Sequence, residues 1–429
     1  MWAVGLALLA AAAVTAALLI LVPPWAVPDG TLGSSDKIRL DAQAGVRVTI
    51  LQALGGIALF VGIGYTAITA RLSRETHLTD RFAKAVEQIG HDKREVRIGG
   101  IYALQRLALN SPIDQSAISD LLRAYLGIHA SHTHSGQPPP PRDRLNDDLQ
   151  AALTGPHGVV SACLAVDLRD LDLRGAQLRQ AQLAEACFDG SLLSGAQLLE
   201  ANLDNARLNC TALEAADLTR ASLCRASMHQ AVLSQANLTS AKLDEADMRQ
   251  VNLSGARLDG ASLTDAYLTS SLMRGAQLQA ASLSCAVLDY CDLREADLTG
   301  ADLQAANLSQ SSLGAVIAVG VNLRNANLEA ADLTAASLNR ADLRETNLNE
   351  AKLVSADLTE ADLTGATLRG AILRDAVLTS ANLTGADLTG ADLTGTTVDG
   401  ANLTGADLTG TDLEGTGAPI EVSPSSADS

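Results

Sequence analysis

Fifty consecutive pentapeptides run from Val166 to Gly415 without an insertion, and this period of five constrains the fold more than any other feature. Leu occupies 44 of the 50 positions counted every fifth residue from Leu168 to Leu413, and Ala occupies 37 of the 50 positions two residues earlier. This period is neither the 3.6 of an α-helix nor the 2 of an ordinary strand. The chain is therefore predicted to turn a corner every five residues and to bury one large and one small apolar side chain each time, as a solenoid does.

A second period indicates how many corners make one coil. Substitutions at the Ala position recur on a twenty-residue grid, which predicts four faces per coil because residues twenty apart would then stack in one column. With stacked coils about 4.8 Å apart, the repeats predict about a dozen coils and a rod about 60 Å long. The interior is expected to hold almost no polar atom. Seven of the thirteen substituted positions lie on this grid, which only Ala231 interrupts: Leu171, Ser191, Thr211, Val251, Ser271, Cys291 and Ser311.

The run "ANLTGADLTGADLTG" and its relatives resemble the pentapeptide-repeat family. The resemblance implies a mainly β fold, a right-handed quadrilateral β-helix, with Leu and the preceding Ala inside and the other three residues facing solvent. The weakest part of the repeat is "SSLGAVIAVGVNL", where Ala318 replaces Leu among several β-branched residues. A local bulge or a small exposed apolar patch is expected there.

Two uncharged apolar runs precede the repeats, at residues 2–22 and 48–70. Each is long enough to cross a hydrocarbon core of about 30 Å, so residues 1–70 are predicted to form a two-helix transmembrane hairpin. A cleaved signal peptide is the alternative for the first run, although no basic residue precedes it. A buried soluble helix is the alternative for the second run, which Arg47 and Arg71 bracket like interfacial anchors.

Flanking charge predicts the orientation of this hairpin. The intervening loop carries Lys37, Arg39 and Arg47 balanced by three Asp residues, whereas eight basic residues lie between positions 71 and 106. The positive-inside rule therefore predicts a multi-pass cell-membrane protein whose repeats lie in the cytoplasm. The six cysteines show no framework spacing, so reduced thiols are expected.

Further segments are predicted between the membrane and the rod. Residues 71–126 are predicted to form a small juxtamembrane helical region with breaks at Gly90 and at "NSPID". This region is similar to the juxtamembrane segment of bacterial membrane-bound pentapeptide-repeat proteins. A Pro- and His-containing linker is predicted at 127–144 and an N-terminal cap at 145–165, with Leu145, Leu149 and Leu153 on one side of a short helix. The β-helix is predicted at 166–415 and a disordered tail at 416–429.

Nothing in the sequence predicts an enzyme. His129, His132 and His134 could bind a metal ion, but the tract has no carboxylate or thiol nearby, so neither a metal site nor a cofactor is predicted. No nucleophile with a base recurs in the repeats, and no small-molecule substrate is predicted.

Charge suggests two functions. Residues 277–415 contain 20 acidic and 7 basic side chains. Acidity serves solubility by default, which favours a membrane-anchored, non-enzymatic scaffold for a protein partner not identifiable from the sequence, without direct nucleic-acid binding. The alternative, implied by the resemblance to the quinolone-resistance branch of the family, is an acidic DNA mimic that regulates a DNA-binding enzyme such as gyrase. Members of that branch are short soluble dimers with C-terminal helices, which this chain lacks.

Overall fold

The computed structural model describes residues 36–111, 113–130, 144–154, 167–412 and 414, together with Ala10, Ala13, Val14 and Ala17. The chain divides into two compact units, Met1–Ala83 and Lys84–Ser429. Four helices are defined: α1 (Asp36–Ile89), α2 (Arg94–Asn110), α3 (Gln115–Ala130) and α4 (Asp147–Leu153). A continuous solenoid occupies residues 167–412.

Helix α1 is longer than the apolar run that predicted it. It has 54 residues, so it begins twelve residues before position 48 and continues past position 70 without a break. The reason is local, because the flanking stretches lack proline and are rich in residues that favour helix. Its segment Ala44–Arg71 has a mean hydropathy of 1.9, is not buried, and is the one stretch of the described residues that could span a membrane. Nearly all of the predicted first helix, 2–22, lies outside the described residues.

Helices α2, α3 and α4 pack together around a small apolar core. The breaks between helices fall after Ile89 and after Asn110, next to Gly90 and within "NSPID". Gly100 allows the end of α1 to pack closely on α2, since a Cβ there would lie 2.8 Å from the Ala85 carbonyl oxygen. Helix α3 extends to Ala130, so the first residues of the predicted linker are helical, while residues 131–143 lie outside the described residues. The core side chains include Ile101, Leu104, Ile118, Leu122, Leu126, Leu149 and Leu153.

The solenoid has four faces per coil, as the twenty-residue period predicts. The residue before each central Leu pairs in parallel with the residues twenty before and twenty after it, in a series from Asp167 to Asp412. Each pairing is an isolated bridge rather than a strand of several residues, because the chain bends again before a second residue can join. The central Leu and the preceding Ala face inward, as Leu288 and Ala286 do, both with no exposed area.

Every corner of the solenoid contains a residue in the left-handed region. The amide of Ala176 donates to the Leu173 carbonyl oxygen at 3.1 Å, and Gly175 between them has a φ of 67°. This geometry is that of a type II turn. It recurs at every fifth residue from Asp170 to Gly410, with φ between 53° and 71°. Most of these residues are not glycine, although glycine adopts such φ values with the least strain.

The few polar groups of the solenoid interior are hydrogen-bonded. Along the column of substituted Ala positions, buried hydroxyl groups donate to the carbonyl oxygen of a central residue in the preceding coil. The Oγ1 of Thr211 donates to Phe188 O at 2.9 Å, and the Oγ of Ser271 donates to Met248 O at 2.8 Å. The thiol of Cys291 donates to Leu268 O at 2.9 Å. Small hydroxyl groups therefore fit the column because they bond to the turns of the preceding coil.

The irregular stretch near residue 318 keeps the register of the solenoid. Ile317 still bridges both neighbouring coils, so no bulge forms, but its side chain is 46% exposed. Ala318 is buried in the position of a central Leu, while Val316 and Val321 are buried in positions that usually hold Ala. The interior of this coil therefore stays filled, because Val316 and Val321 are larger than the usual Ala and offset the small Ala318.

Candidate interaction surfaces

A buried ion pair organises the helices at the N-terminal end of the solenoid. The Nη2 of Arg97 on α2 lies 2.7 Å from Oδ2 of Asp148 on α4, and Tyr125 on α3 donates to the same oxygen at 2.8 Å. Burial acts to raise the pKa of Asp148, but the hydrogen bonds from Arg97 and Tyr125 outweigh it and hold that pKa below its usual value. Burial and the bond to Asp148 raise the pKa of Tyr125 to about 12. One carboxylate thus ties three helices together.

The helical cap, defined as α2, α3 and α4, completes the hydrogen bonds of the first coil. The side-chain amide of Gln150 donates to Gln177 O and accepts from Gln177 N, both at 2.8 Å, as a neighbouring strand would. The carbonyl oxygen of Ala130 accepts from the amide of Asp172 at 2.5 Å. The exposed backbone of a solenoid end is a ready template for association, and the cap occupies it here.

Outward-facing Asp and Asn side chains accept hydrogen bonds from their own coil or from a neighbouring coil. In the distal repeats, the Thr two residues after each Asp donates both its amide and its hydroxyl to the Asp Oδ1, as Thr389 does to Asp387. The Asn side chains at 307, 327 and 347 instead form a ladder, in which each Nδ2 donates to the Oδ1 of the preceding coil. The outer surface of these repeats is therefore polar, and an Asp carboxylate is held in place where Thr follows it two residues later.

The distal coils have few positive charges. Arg369 and Arg374 each contact an Asp in the next coil, Asp387 and Asp392 respectively. Hydrogen bonds from Thr389 and Thr394, followed by these arginines, hold the pKa values of the two Asp side chains below the usual value. Every later charged residue is acidic, so the last two coils, residues 375–414, contain no basic side chain of their own.

Only one of the three histidines considered for metal binding lies in the described residues. His129 lies in α3 with its ring centroid 4.4 Å from that of Tyr125, whereas His132 and His134 lie outside the described residues. Within the described part of the chain, no three His, Cys, Asp or Glu side chains converge as a metal site requires. The five described cysteines are free thiols: Cys187, Cys210, Cys224, Cys285 and Cys291.

These observations define a class of protein, a parallel β-solenoid with four faces at each coil and a helical cap at one end. A family model described as pentapeptide repeats matches the chain in overlapping segments from residue 165 to 314 and from 322 to 416. The chain therefore belongs to the pentapeptide-repeat family, whose fold is a right-handed β-helix. The gap in the match, 315–321, coincides with the irregular stretch around Ala318.

Several solved structures are similar to the chain. HetL from the cyanobacterium Nostoc sp. strain PCC 7120, a pentapeptide-repeat protein involved in heterocyst differentiation regulation, is 34% identical over 52% of this chain and 92% of its own, with a TM-score of 0.34. A trypsin-treated form of QnrB1, a plasmid-mediated fluoroquinolone resistance protein, is 23% identical over 42% and 88%, with a TM-score of 0.27. Rfr23 from the cyanobacterium Cyanothece 51142 is 37% identical over 28% and 62%, with a TM-score of 0.08. No curated protein matches the chain.

Proposed function

We propose that this protein is a membrane-anchored, non-enzymatic scaffold that presents its pentapeptide-repeat rod to protein partners in the cytoplasm. The observation that carries the proposal is the segment Ala44–Arg71 of α1, which has 28 residues, a mean hydropathy of 1.9 and no buried surface. Leaving so many apolar side chains in water is costly at about 25 cal/mol per Å². A bilayer removes that cost.

Interaction rather than catalysis follows from the chemistry of the rod. Its outward side chains form short ladders and turn bonds, and its faces are flat and extended, which is the surface that solenoids use to bind partners. The orientation rests on charge, because Arg71, Arg74 and the following basic residues outnumber those that precede the apolar segment. This asymmetry favours a cytoplasmic location for everything after α1's apolar segment.

Cysteine labelling tests the anchor and its orientation together. In a variant whose six cysteines are replaced by serine, Ser34→Cys should react with a membrane-impermeant maleimide on intact cells and Ser425→Cys should react only after lysis. Labelling of Ser425→Cys alone on intact cells would reverse the orientation. A mature N-terminus near Pro28 would replace the hairpin with a cleaved signal, and release of the chain by carbonate extraction would remove the anchor.

A DNA-mimicking regulator of an enzyme such as gyrase is the second candidate, and the acidic distal coils favour it. Residues 375–414 contain seven acidic side chains and no basic one, over two coils or about 10 Å. That is one charge per about 1.4 Å, slightly denser than the one charge per about 1.7 Å of duplex DNA. It persists for a length of only about three base pairs, and two of the seven carboxylates already contact arginines. The scaffold is therefore the better supported function.

A further inference from the structure

One face of the solenoid carries almost no charge over five consecutive coils. We call it the neutral face, and it consists of residues 192–195, 212–215, 232–235, 252–255 and 272–275. Its only charged side chains are Glu214 and Arg274, whereas the other three faces of the same coils carry four, five and six charged residues. The low number of charged side chains therefore distinguishes this face from the other three over these five coils.

An apolar ladder runs along the neutral face. Its members bridge one another from coil to coil in the order Leu192, Ala212, Val232, Asn252, Leu272. The ladder ends at Leu272, which is 49% exposed, and on the adjoining face Tyr267 is 49% and Tyr290 56% exposed. Tyr267 and Tyr290 are the two tyrosines of the repeats, and tyrosine is enriched among the residues that dominate binding energy at interfaces.

The backbone of these coils excludes one common mode of binding. The amide of Val232 donates to Thr211 O and the amide of Leu233 donates to Asn252 O, and this pattern repeats in each coil. No strand edge is free, so a partner cannot add a strand to this face. The lack of positive charge likewise disfavours nucleic acid and anionic lipid, because both bind through clustered Lys and Arg.

The dimensions of the face match an α-helix. Its rungs are about 4.8 Å apart, close to the helical pitch of about 5.4 Å. The ladder is flanked by small residues that allow close approach, among them Ser194, Ser234, Gly195, Gly255 and Gly275. Glu214, which accepts a hydrogen bond from Ser194, and Arg274, which pairs with Glu295, lie three coils or about 14 Å apart. That distance corresponds to about ten residues of helix.

We propose that the neutral face is the docking site for one amphipathic α-helix of a partner protein. The helix would place an apolar stripe on the ladder, with a basic residue near Glu214 and an acidic residue about ten positions away near Arg274. Its strongest contact would be with Leu272, the most exposed member of the ladder. This proposal rests on the scaffold function and specifies the chemistry of the partner.

Site-specific photo-crosslinking in cells tests the proposal with the full-length chain. A benzophenone amino acid is placed in turn at Ala212, Val232 and Leu272, with Asn237 on another face of the same coil as Val232 as the matched control. The adducts should map to one segment of one partner. Moving the probe by one coil should shift the attachment by about three residues, and the two coils from Val232 to Leu272 by about six or seven.

Two charge substitutions then separate docking from folding. Leu272→Asp should reduce the adduct formed at Val232 by at least about tenfold. Ile317→Asp should leave that adduct unchanged, because Ile317 has the same repeat position and a similar exposure of 46% but lies on another face. Both variants should unfold at the temperature of the parent chain.

Other crosslinking results would test the helical partner, the choice of face and the scaffold function separately. Adducts to a second copy of this chain, or to partner residues without a helical spacing, overturn the helix proposal. Adducts confined to Asn237 overturn the choice of face but leave the scaffold intact. The absence of adducts from every face of the rod would overturn both the docking site and the scaffold function.

Discussion

The first and last coils are built from one repeat, but they end differently. At the first coil, Gln150 and Ala130 of the helical cap bond to the backbone of Gln177 and Asp172. At the last coil, the amides of Leu403 and Leu408 have no partner among the described residues, and Leu408 is only partly buried. Within the described residues, the same sequence pattern therefore gives one end covered by the helical cap and one end with unpaired amides. What lies beyond the repeat, rather than the repeat itself, decides which coil is most easily lost.

The corners differ between the two regions as well. All six corner residues from Gly385 to Gly410 are glycine, whereas none of the eleven from Glu200 to Gln250 is glycine. A side chain in the left-handed region costs about 1 kcal/mol. The distal coils, which have fewer neighbours, thus carry less strain per corner than the proximal coils.

The largest expected effect tests whether position along the rod matters. Leu288→Ala should destabilise the protein by about 2–5 kcal/mol, because the stacked coils cannot collapse into the cavity. Leu408→Ala removes the same side chain from the same repeat position, but it should cost only about 1–2 kcal/mol because that leucine is already partly exposed. Thermal unfolding of residues 84–429 measures both changes. Equal losses would show that the last coil is packed as tightly as the middle of the rod.

The second prediction tests the cap. Asp148→Asn should destabilise the N-terminal end by about 1.5–3 kcal/mol, since charged hydrogen bonds from Arg97 and Tyr125 are weakened. Asp148 has a lowered pKa in the folded state. Its contribution is therefore complete above the unfolded value of about 4 and is lost as the pH falls through the folded value.

The pH dependence provides the control for that variant. Other lowered carboxylates also titrate below about pH 4, so the informative quantity is the difference between the parent and Asp148→Asn. That difference should be large at pH 6 and should shrink toward pH 3. A difference that stays constant over this range would mean that Asp148 acts through shape rather than charge.

The third prediction tests the corners. Ala330→Gly should stabilise the rod by about 0.5 kcal/mol, because relief of strain at a φ of 55° slightly exceeds the entropy that glycine loses on folding. The adjacent substitution Ala331→Gly should destabilise it, since Ala331 is fully buried and loses a packed methyl group. A gain at position 331 or a clear loss at position 330 would contradict the assignment of corner and interior.

The sequence predicted the parts of the fold that follow from a period. Leu at every fifth position and substitutions at every twentieth were sufficient for the interior, the four faces and the family. They did not predict the left-handed corners, because residues such as Arg225 and Tyr290 occupy them as well as glycine does. The start of α1 was missed since hydropathy marks only its apolar part. The neutral face was missed because outward residues were read along the chain rather than down columns twenty residues apart.

The smallest expected effect concerns the acidic last two coils, residues 375–414. A DNA mimic binds a basic groove through many carboxylates, so its affinity should fall steeply with salt. The last two coils present such charge over only about 10 Å, and we expect residues 84–429, at micromolar concentration and low salt, to leave gyrase supercoiling unchanged. Inhibition that disappears when Asp387, Asp392, Asp407 and Asp412 are changed to Asn would make the acidic last two coils, rather than the neutral face, the binding surface. Inhibition that survives those changes would show that these four carboxylates are not the contact, since only Asp375, Asp399 and Glu414 remain acidic in these coils.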